Sequence, residues 1–365
     1  MYYFLIAISI YWMLVCGFIK QGKKLSAWGT QSILFVAWLI LALRGSNIGV
    51  DTKAYIDYFY RIQQTSLPDI MQGCLLGGDY MEIGFTLLVK SFGLVFSSPQ
   101  WLLAFCGGVY LLAVNAFLKE LKIYTPAYAT LYLFLAPYLA AFNTTRQLLA
   151  VGLLVFAWME IRKAKKKALI YILLAASCHI SALIGFLFYV FGFERLESKI
   201  LKRKTVLLTI ICCLVFAFAG GPVFLWVLQF FPTYAQRYGI SGRYTDMTTE
   251  AGFVVLLWLV VVGLAILIAM TTRWKTCKDV KKYEYILYSL LAVAFSFLGM
   301  DLGGAQRITL YFQPFWIPLI HEGEQRLQDF SGKLYIFVAC LASIIFFILQ
   351  SGTVQYSPYV FFWEG

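Results

Sequence analysis

Long apolar runs recur along the whole chain, and they limit its possible folds more than any other feature. They lie near 2–19, 28–43, 83–97, 101–118, 126–142, 147–161, 168–192, 205–219, 251–270, 283–299, 308–320 and 334–349. About 20 apolar residues in a row cross the hydrocarbon core of a bilayer as an α-helix. A soluble fold would need more charge: 13% of the 365 residues are charged, against about 25% in soluble domains. A hydrophobic content of 61% excludes a disordered chain. A porin-like barrel is excluded as well, because its strands alternate in short segments. The sequence therefore predicts an all-α polytopic membrane protein, a single integral membrane domain over 1–365. About 20 residues per span gives roughly ten to twelve transmembrane or re-entrant segments.

The net charge of +12 follows the spacing of these runs. Basic residues cluster in alternate connections: Lys20, Lys23 and Lys24; Lys119 and Lys122; Arg162 to Lys167; Arg195 to Lys204; Arg273 to Lys282; Arg326 and Lys333. Basic loops stay cytoplasmic on insertion, so these are read as the inner loops. The outer connections are then 44–82, 143–146, 220–250, 300–307 and the stretch after 350. The positive charge sets orientation, and no basic stripe with interleaved aromatics points to nucleic acid. The first run lacks a basic leader and a small-residue cleavage site, so it reads as a span rather than a removable signal. No internal repeat is visible, which disfavours transporter folds built from paired halves.

Two places break the alternation. Residues 168–192 lie between two basic loops yet are short for two spans, so a broken hairpin with its corner near Cys178 and His179 is expected. Residues 83–118 hold two runs between loops on opposite sides, so one of them is expected to be re-entrant, which is tolerated only where it is buried in protein or lines a cavity.

The eight cysteines include no Cys-x-x-Cys pair, and most sit in apolar runs as small filler. No Asp-x-Asp motif, clustered carboxylates, glycine-rich phosphate loop or zinc-binding helix motif occurs. Neither a metal nor another cofactor is therefore expected.

Candidate chemistry lies in the outer connections, two of which, 44–82 and 220–250, are long. The first opens RGSNIGVDTKAYIDYFYRI. Asp51 and Thr52 read as a helix start, and Tyr55, Tyr58, Phe59 and Ile62 follow at helical spacing, as in an amphipathic helix lying on the outer membrane surface. Asp51 is either a plain N-cap or a carboxylate held at the water–lipid boundary. Arg146 in FNTTRQLLAVGL and Arg307 in MDLGGAQRITLYF stand just before apolar runs, at outward helix starts. Neither the helix dipole nor insertion favours a cation there. A guanidinium suits phosphate recognition, and snorkelling to lipid phosphate is the alternative. Arg243 in ISGRYTDM is a further candidate, beside Gly239 and Gly242. Of two histidines, His321 falls in an inner loop. His179 falls at the expected hairpin corner, where an ionisable group is costly and points to a site, or else hydrogen-bonds a neighbouring helix.

In this order, the stretches RGSNIGVDTKAY, EIGFTLLVK, NTTRQLLAVGL, ASCHISALIGFLFYV, GRYTDM and QRITLYFQPFWIPLI resemble the EpsG family, the Wzy-like polymerases of bacterial exopolysaccharide and capsule. Arg44, Gly45, Gly49, Asp51 and Tyr55 fill the places of that family's opening motif. The resemblance implies a fold similar to GT-C-like glycosyltransferases, in the bacterial cytoplasmic membrane with an outward-facing active site. It also implies that undecaprenyl-diphosphate-linked oligosaccharide units are joined there and lipid diphosphate leaves. Whether a chain-length regulator and other assembly proteins take part is left open.

The residue chemistry suits that task. Arg146 and Arg307, with Arg44 or Arg243 assisting, can neutralise a departing diphosphate at the membrane surface. His179 and Asp51 are rival general bases for the acceptor hydroxyl. Tyr55 and Tyr244 can stack on sugar rings, although aromatics also populate membrane interfaces for other reasons. Membrane lipid is the other expected partner. A flippase of lipid-linked glycan and a membrane O-acyltransferase are the competing functions.

Overall fold

The computed structural model describes residues 1–18, 22–76, 79–135, 138–191, 203–228, 230, 251–273, 277–301, 303–327 and 329–364. Those residues are all-α apart from turns and one isolated antiparallel bridge between Arg44 and Phe361. They form two compact units, Met1–Gly192 with Phe337–Gly365, and Phe193–Ile336.

The first unit begins with α1 (Tyr2–Phe18) and α2 (Lys23–Ala42), followed by α3 (Thr52–Gln64), α4 (Leu67–Leu76) and α5 (Ile83–Val95). It continues with α6 (Gln100–Glu120), α7 (Pro126–Leu135), α8 (Ala140–Asn143), α9 (Thr145–Glu160) and α10 (Lys165–Cys178). A 3-10 turn (Ile180–Gly185) leads into α11 (Phe186–Phe191). Helix α9 packs between α6 and α10, and α2 packs on α6, α1 and α7. Leu102, Leu103, Cys106, Tyr110, Val114 and Phe117 of α6 are buried, whereas Trp101, Phe105 and Leu112 stay exposed. An apolar face of that kind suits lipid and would be a liability in water.

The second unit contains α12 (Arg203–Leu228), α13 (Ala251–Thr271), α14 (Cys277–Asp301), α15 (Gly303–Thr309) and α16 (Trp316–Glu324). The final helix, α17 (Asp329–Ser351), starts here and ends in the first unit. Helix α14 packs on α12 and α15, and Phe295 stacks on Phe312 at 6.1 Å and 8°. At one end of this unit Arg326 donates to Thr271, Thr272 and the Glu322 carboxylate, which also meets Lys282 at 3.2 Å.

Among the described residues, three helices are long and apolar enough to cross a membrane: Lys23–Ala42, Gln100–Glu120 and Phe330–Ser351. Shorter apolar helices accompany them, among them Ile83–Val95 and Pro126–Leu135. With 13 residues, α5 extends about 20 Å, less than the roughly 30 Å of hydrocarbon, so it does not cross alone.

Several expectations change. The apolar face of α3 does not lie on lipid. Tyr55, Tyr58, Phe59 and Ile62 enter a buried cluster with Phe85, Val89, Leu102 and Leu149. The same periodicity serves a lipid surface or a protein core, and here protein covers it. Gly220, Gly221 and Pro222 do not open a loop, because α12 runs through them to Leu228. In hydrocarbon an interrupted helix would strand backbone groups, so glycine and proline are carried within it. His321 is helical rather than in a loop, with Nδ1 3.1 Å from Glu324 Oε2. The chain does break after Cys178: His179 is extended at φ −154 and ψ 114, and the 3-10 turn and α11 fold back against α10.

Candidate active site at three helix ends

Helix α9 starts abruptly. Thr144 precedes it with φ −119 and ψ 51, and Thr145, 3% exposed, is its first residue. Arg44 fixes this start. Its Nη2 donates to Thr145 Oγ1 at 2.8 Å, its Nε to Thr52 Oγ1 at 3.2 Å and its Nη1 to the Leu41 carbonyl at 3.0 Å. The guanidinium lies 5.4 Å from the Phe142 ring centre. Burial lowers the Arg44 pKa to about 10, which still leaves it charged near neutrality.

Loop 44–51 closes over the same helix start. Gly49 has φ 84, and a Cβ there would come within 2.7 Å of the Phe142 carbonyl carbon, so glycine is required. Val50 N–H donates to Asn143 Oδ1 at 2.8 Å. A strap from beyond α17 holds the loop from the other side. Gly45 N–H donates to the Val360 carbonyl at 2.8 Å, Gly49 N–H to the Gln355 carbonyl at 2.8 Å, and Asn143 Nδ2 to the Tyr356 hydroxyl at 2.9 Å.

Arg146, the second residue of α9, emerges next to this framework with its side chain 21% exposed. Its Nη1 pairs with Oε2 of Glu82, the residue just before α5. Glu82 Oε1 accepts the Ile180 N–H at 3.1 Å. One carboxylate thus ties the start of α5 to the start of α9 and to the break after α10. It also compensates the cation at a helix N-terminus, where the dipole opposes one.

Two features position Glu82. A closed ring of hydrogen bonds pins the preceding residue: Met81 N–H donates to the Tyr58 hydroxyl at 3.0 Å, Tyr58 lies 2.6 Å from Thr86 Oγ1, and Thr86 donates to the Met81 carbonyl at 3.1 Å. Gly84 then allows α5 to abut α10. A Cβ at 84 would overlap the Ser177 hydroxyl and lie 2.8 Å from the Ser177 carbonyl oxygen. At the break itself, His179 is half-buried and its Nδ1 is 2.7 Å from Ser181 Oγ.

Of the residues singled out from sequence, Arg146 is thus tied through Glu82, which was not among the candidates, to the backbone of Ile180, the residue after His179. In sequence Glu82 is an acid at the head of an apolar run, and no local signal matches it to Arg146. Arg44 is 1% exposed and its donors face inward, so it cannot grip a ligand outside and instead organises α9. Tyr55 is 6% exposed, with its ring edge-on to Phe85 at 6.0 Å, and is a core residue rather than a sugar platform. Asp51 sits before α3 with φ −96 and ψ −4 and makes no side-chain cap bond, so it is not a plain N-cap. Arg307 is in the last turn of the short helix Gly303–Thr309, not ahead of a helix, because Gly303 and Gly304 are themselves helical. The dipole favours a cation there. Arg243 and Tyr244 lie outside the described residues. Among the described residues, no group of three or more His, Cys, Asp or Glu could hold a metal ion.

Apolar helices with a half-buried arginine–glutamate pair at their ends, tied to the break at His179, define a polytopic membrane protein with a candidate site in its first unit. The EpsG family matches residues 27–361, and the chain belongs to that family, one of Wzy-like polymerases. Its general function is accordingly that of a Wzy-like polysaccharide polymerase. No curated protein matches the chain, and no solved structure does.

Proposed function

We propose that the chain joins oligosaccharide repeat units carried on undecaprenyl diphosphate into exopolysaccharide or capsule, at the outer face of the bacterial cytoplasmic membrane. The observation that carries this reading is the meeting of Arg146 with the His179 break through Glu82. It ties the proposed phosphate-binding cation to the chain segment that carries the candidate base. Arg146 neutralises the diphosphate as the sugar–phosphate bond breaks. In the tautomer whose Nδ1–H donates a hydrogen bond to Ser181 Oγ, His179 Nε2 takes the proton of the acceptor hydroxyl. The acceptor oxygen bonds to the anomeric carbon, and the lipid diphosphate leaves with the electron pair. A single displacement of this kind inverts the anomeric centre.

Asp51 is the rival base, and its half-buried place beside the Arg44 loop keeps it in contention. Arg307 is proposed as a second phosphate-binding cation in its own unit, and Arg243 with Tyr244 as contributors from the 231–250 segment. Each is tested by its own alanine variant.

The test is reconstitution of the purified protein in lipid vesicles with one defined lipid-linked repeat unit, read as a ladder of products on a gel. Arg146→Ala and His179→Ala are expected to lower ladder formation by a hundredfold or more at unchanged protein level. Ladders of ordinary length from Arg146→Ala overturn the proposal. Activity is expected to persist in chelator, and strict dependence on magnesium would contradict the metal-independent mechanism.

A further inference from the structure

The Glu82–Arg146 pair suits an empty site poorly matched to a filled one. The two side chains are 18% and 21% exposed, so the pair is largely withdrawn from water. An arginine so placed would be costly without an anion. The carboxylate supplies one, taking guanidinium hydrogen-bonding capacity that a phosphate would use with similar geometry. Glu82 holds the Nη1 edge, so a diphosphate that binds Arg146 through that edge must displace the carboxylate. Glu82 has a second anchor, since Oε1 accepts the Ile180 N–H and does not depend on Arg146. The Tyr58–Thr86–Met81 ring holds its backbone whether or not the ion pair is made.

We infer that Glu82 is a resident counter-ion which the diphosphate displaces from Arg146, making it a positioning residue that sets how tightly the leaving group is held. This rests on the reading of Arg146 as the diphosphate-binding cation. The carboxylate keeps Arg146 oriented between turnovers. Competing for the same guanidinium, it also weakens retention of the departing diphosphate, so that product is released. No bond is made or broken in the exchange; one anion replaces another on a single cation.

Glu82→Gln separates this role from a merely structural one. Glutamine keeps an acceptor for the Ile180 N–H and removes the competing charge. Binding of inorganic pyrophosphate to the purified protein in lipid nanodiscs, by calorimetry, is the direct readout. Glu82→Gln is expected to bind pyrophosphate roughly tenfold tighter than the unaltered protein, the scale for removing one competitor from a partly buried pair. In the polymerisation assay the same variant is expected to show a lower KM and a lower kcat, because diphosphate leaves slowly. If Glu82→Gln proves too unstable to purify, Glu82→Asn replaces it. Asparagine also removes the competing charge, and tighter pyrophosphate binding is again expected. Unchanged or weaker binding in the folded variant overturns the counter-ion role. Arg146→Ala reports on the underlying reading independently: if it still binds pyrophosphate and still polymerises, that reading has failed, whatever Glu82 does.

Discussion

Arg44 donates to Thr145, and Arg146 is the next residue along, so two arginines act on one helix start in different ways. The first is sealed inside and sets where α9 begins; the second projects from it toward Glu82. Conservative lysine variants separate the two roles. Lysine at 44 cannot reach Thr52, Leu41 and Thr145 together, so Arg44→Lys is expected to lower stability by about 2–4 kcal/mol, read as a reduced melting temperature. Arg146→Lys keeps a charge in a more open place and is expected to melt near the parent temperature while losing most activity. Equal melting losses in both variants would contradict this division. Lys90 shows a half-buried use of charge. Its Nζ donates to the carbonyls of Ile62, Gln63 and Thr65 at 2.8–3.1 Å, closing the C-terminal end of α3. Lys90→Met is expected to cost about 1–3 kcal/mol, measured by thermal unfolding in detergent.

The elements that matter most are helix ends. Gly84 is where α5 and α10 come closest, and a methyl group there forces them apart. Gly84→Ala is therefore expected to cost about 1–3 kcal/mol and to reduce activity more than stability alone explains, because Glu82 moves with α5. A normal product ladder from this variant would show that the spacing of α5 and α10 is not needed. The break at His179 and the helix start at Arg146 were legible in the sequence, since both follow from local signals: an ionisable residue within an apolar run and an arginine at the head of one. The Glu82–Arg146 pair was not, because 64 residues separate the partners and no periodicity reports such a contact. Tyr55 misled for a related reason, as amphipathic spacing marks a covered face without saying whether lipid or protein covers it. Arg307 misled because a glycine pair that reads as a loop is helical here.

At the scale of the whole molecule, the charge pattern and the apolar runs announced a helical membrane protein, and the lipid-suited faces of α6 and α17 agree with it. Phe330, Phe337, Val338 and Leu341 of α17 are exposed, while Cys340, Ile344 and Phe347 are buried. The sidedness of the site is testable by introducing a cysteine at 146 into a cysteine-free variant. A membrane-impermeant maleimide is expected to reach it from outside intact cells. Protection there, with labelling only after permeabilisation, would reverse the proposed orientation. The number of spans was less legible, because 13-residue α5 and 10-residue α7 are apolar yet too short to cross alone.

The strap that covers loop 44–51 has a consequence for biogenesis. Tyr359 donates to the Ile40 carbonyl at 2.8 Å across 319 residues of sequence. The early helices can therefore enter the bilayer long before the segment that locks loop 44–51 has left the ribosome. A nascent chain stalled ahead of Gln355 would be threaded through the membrane but catalytically immature, its α9 start waiting for the final clasp.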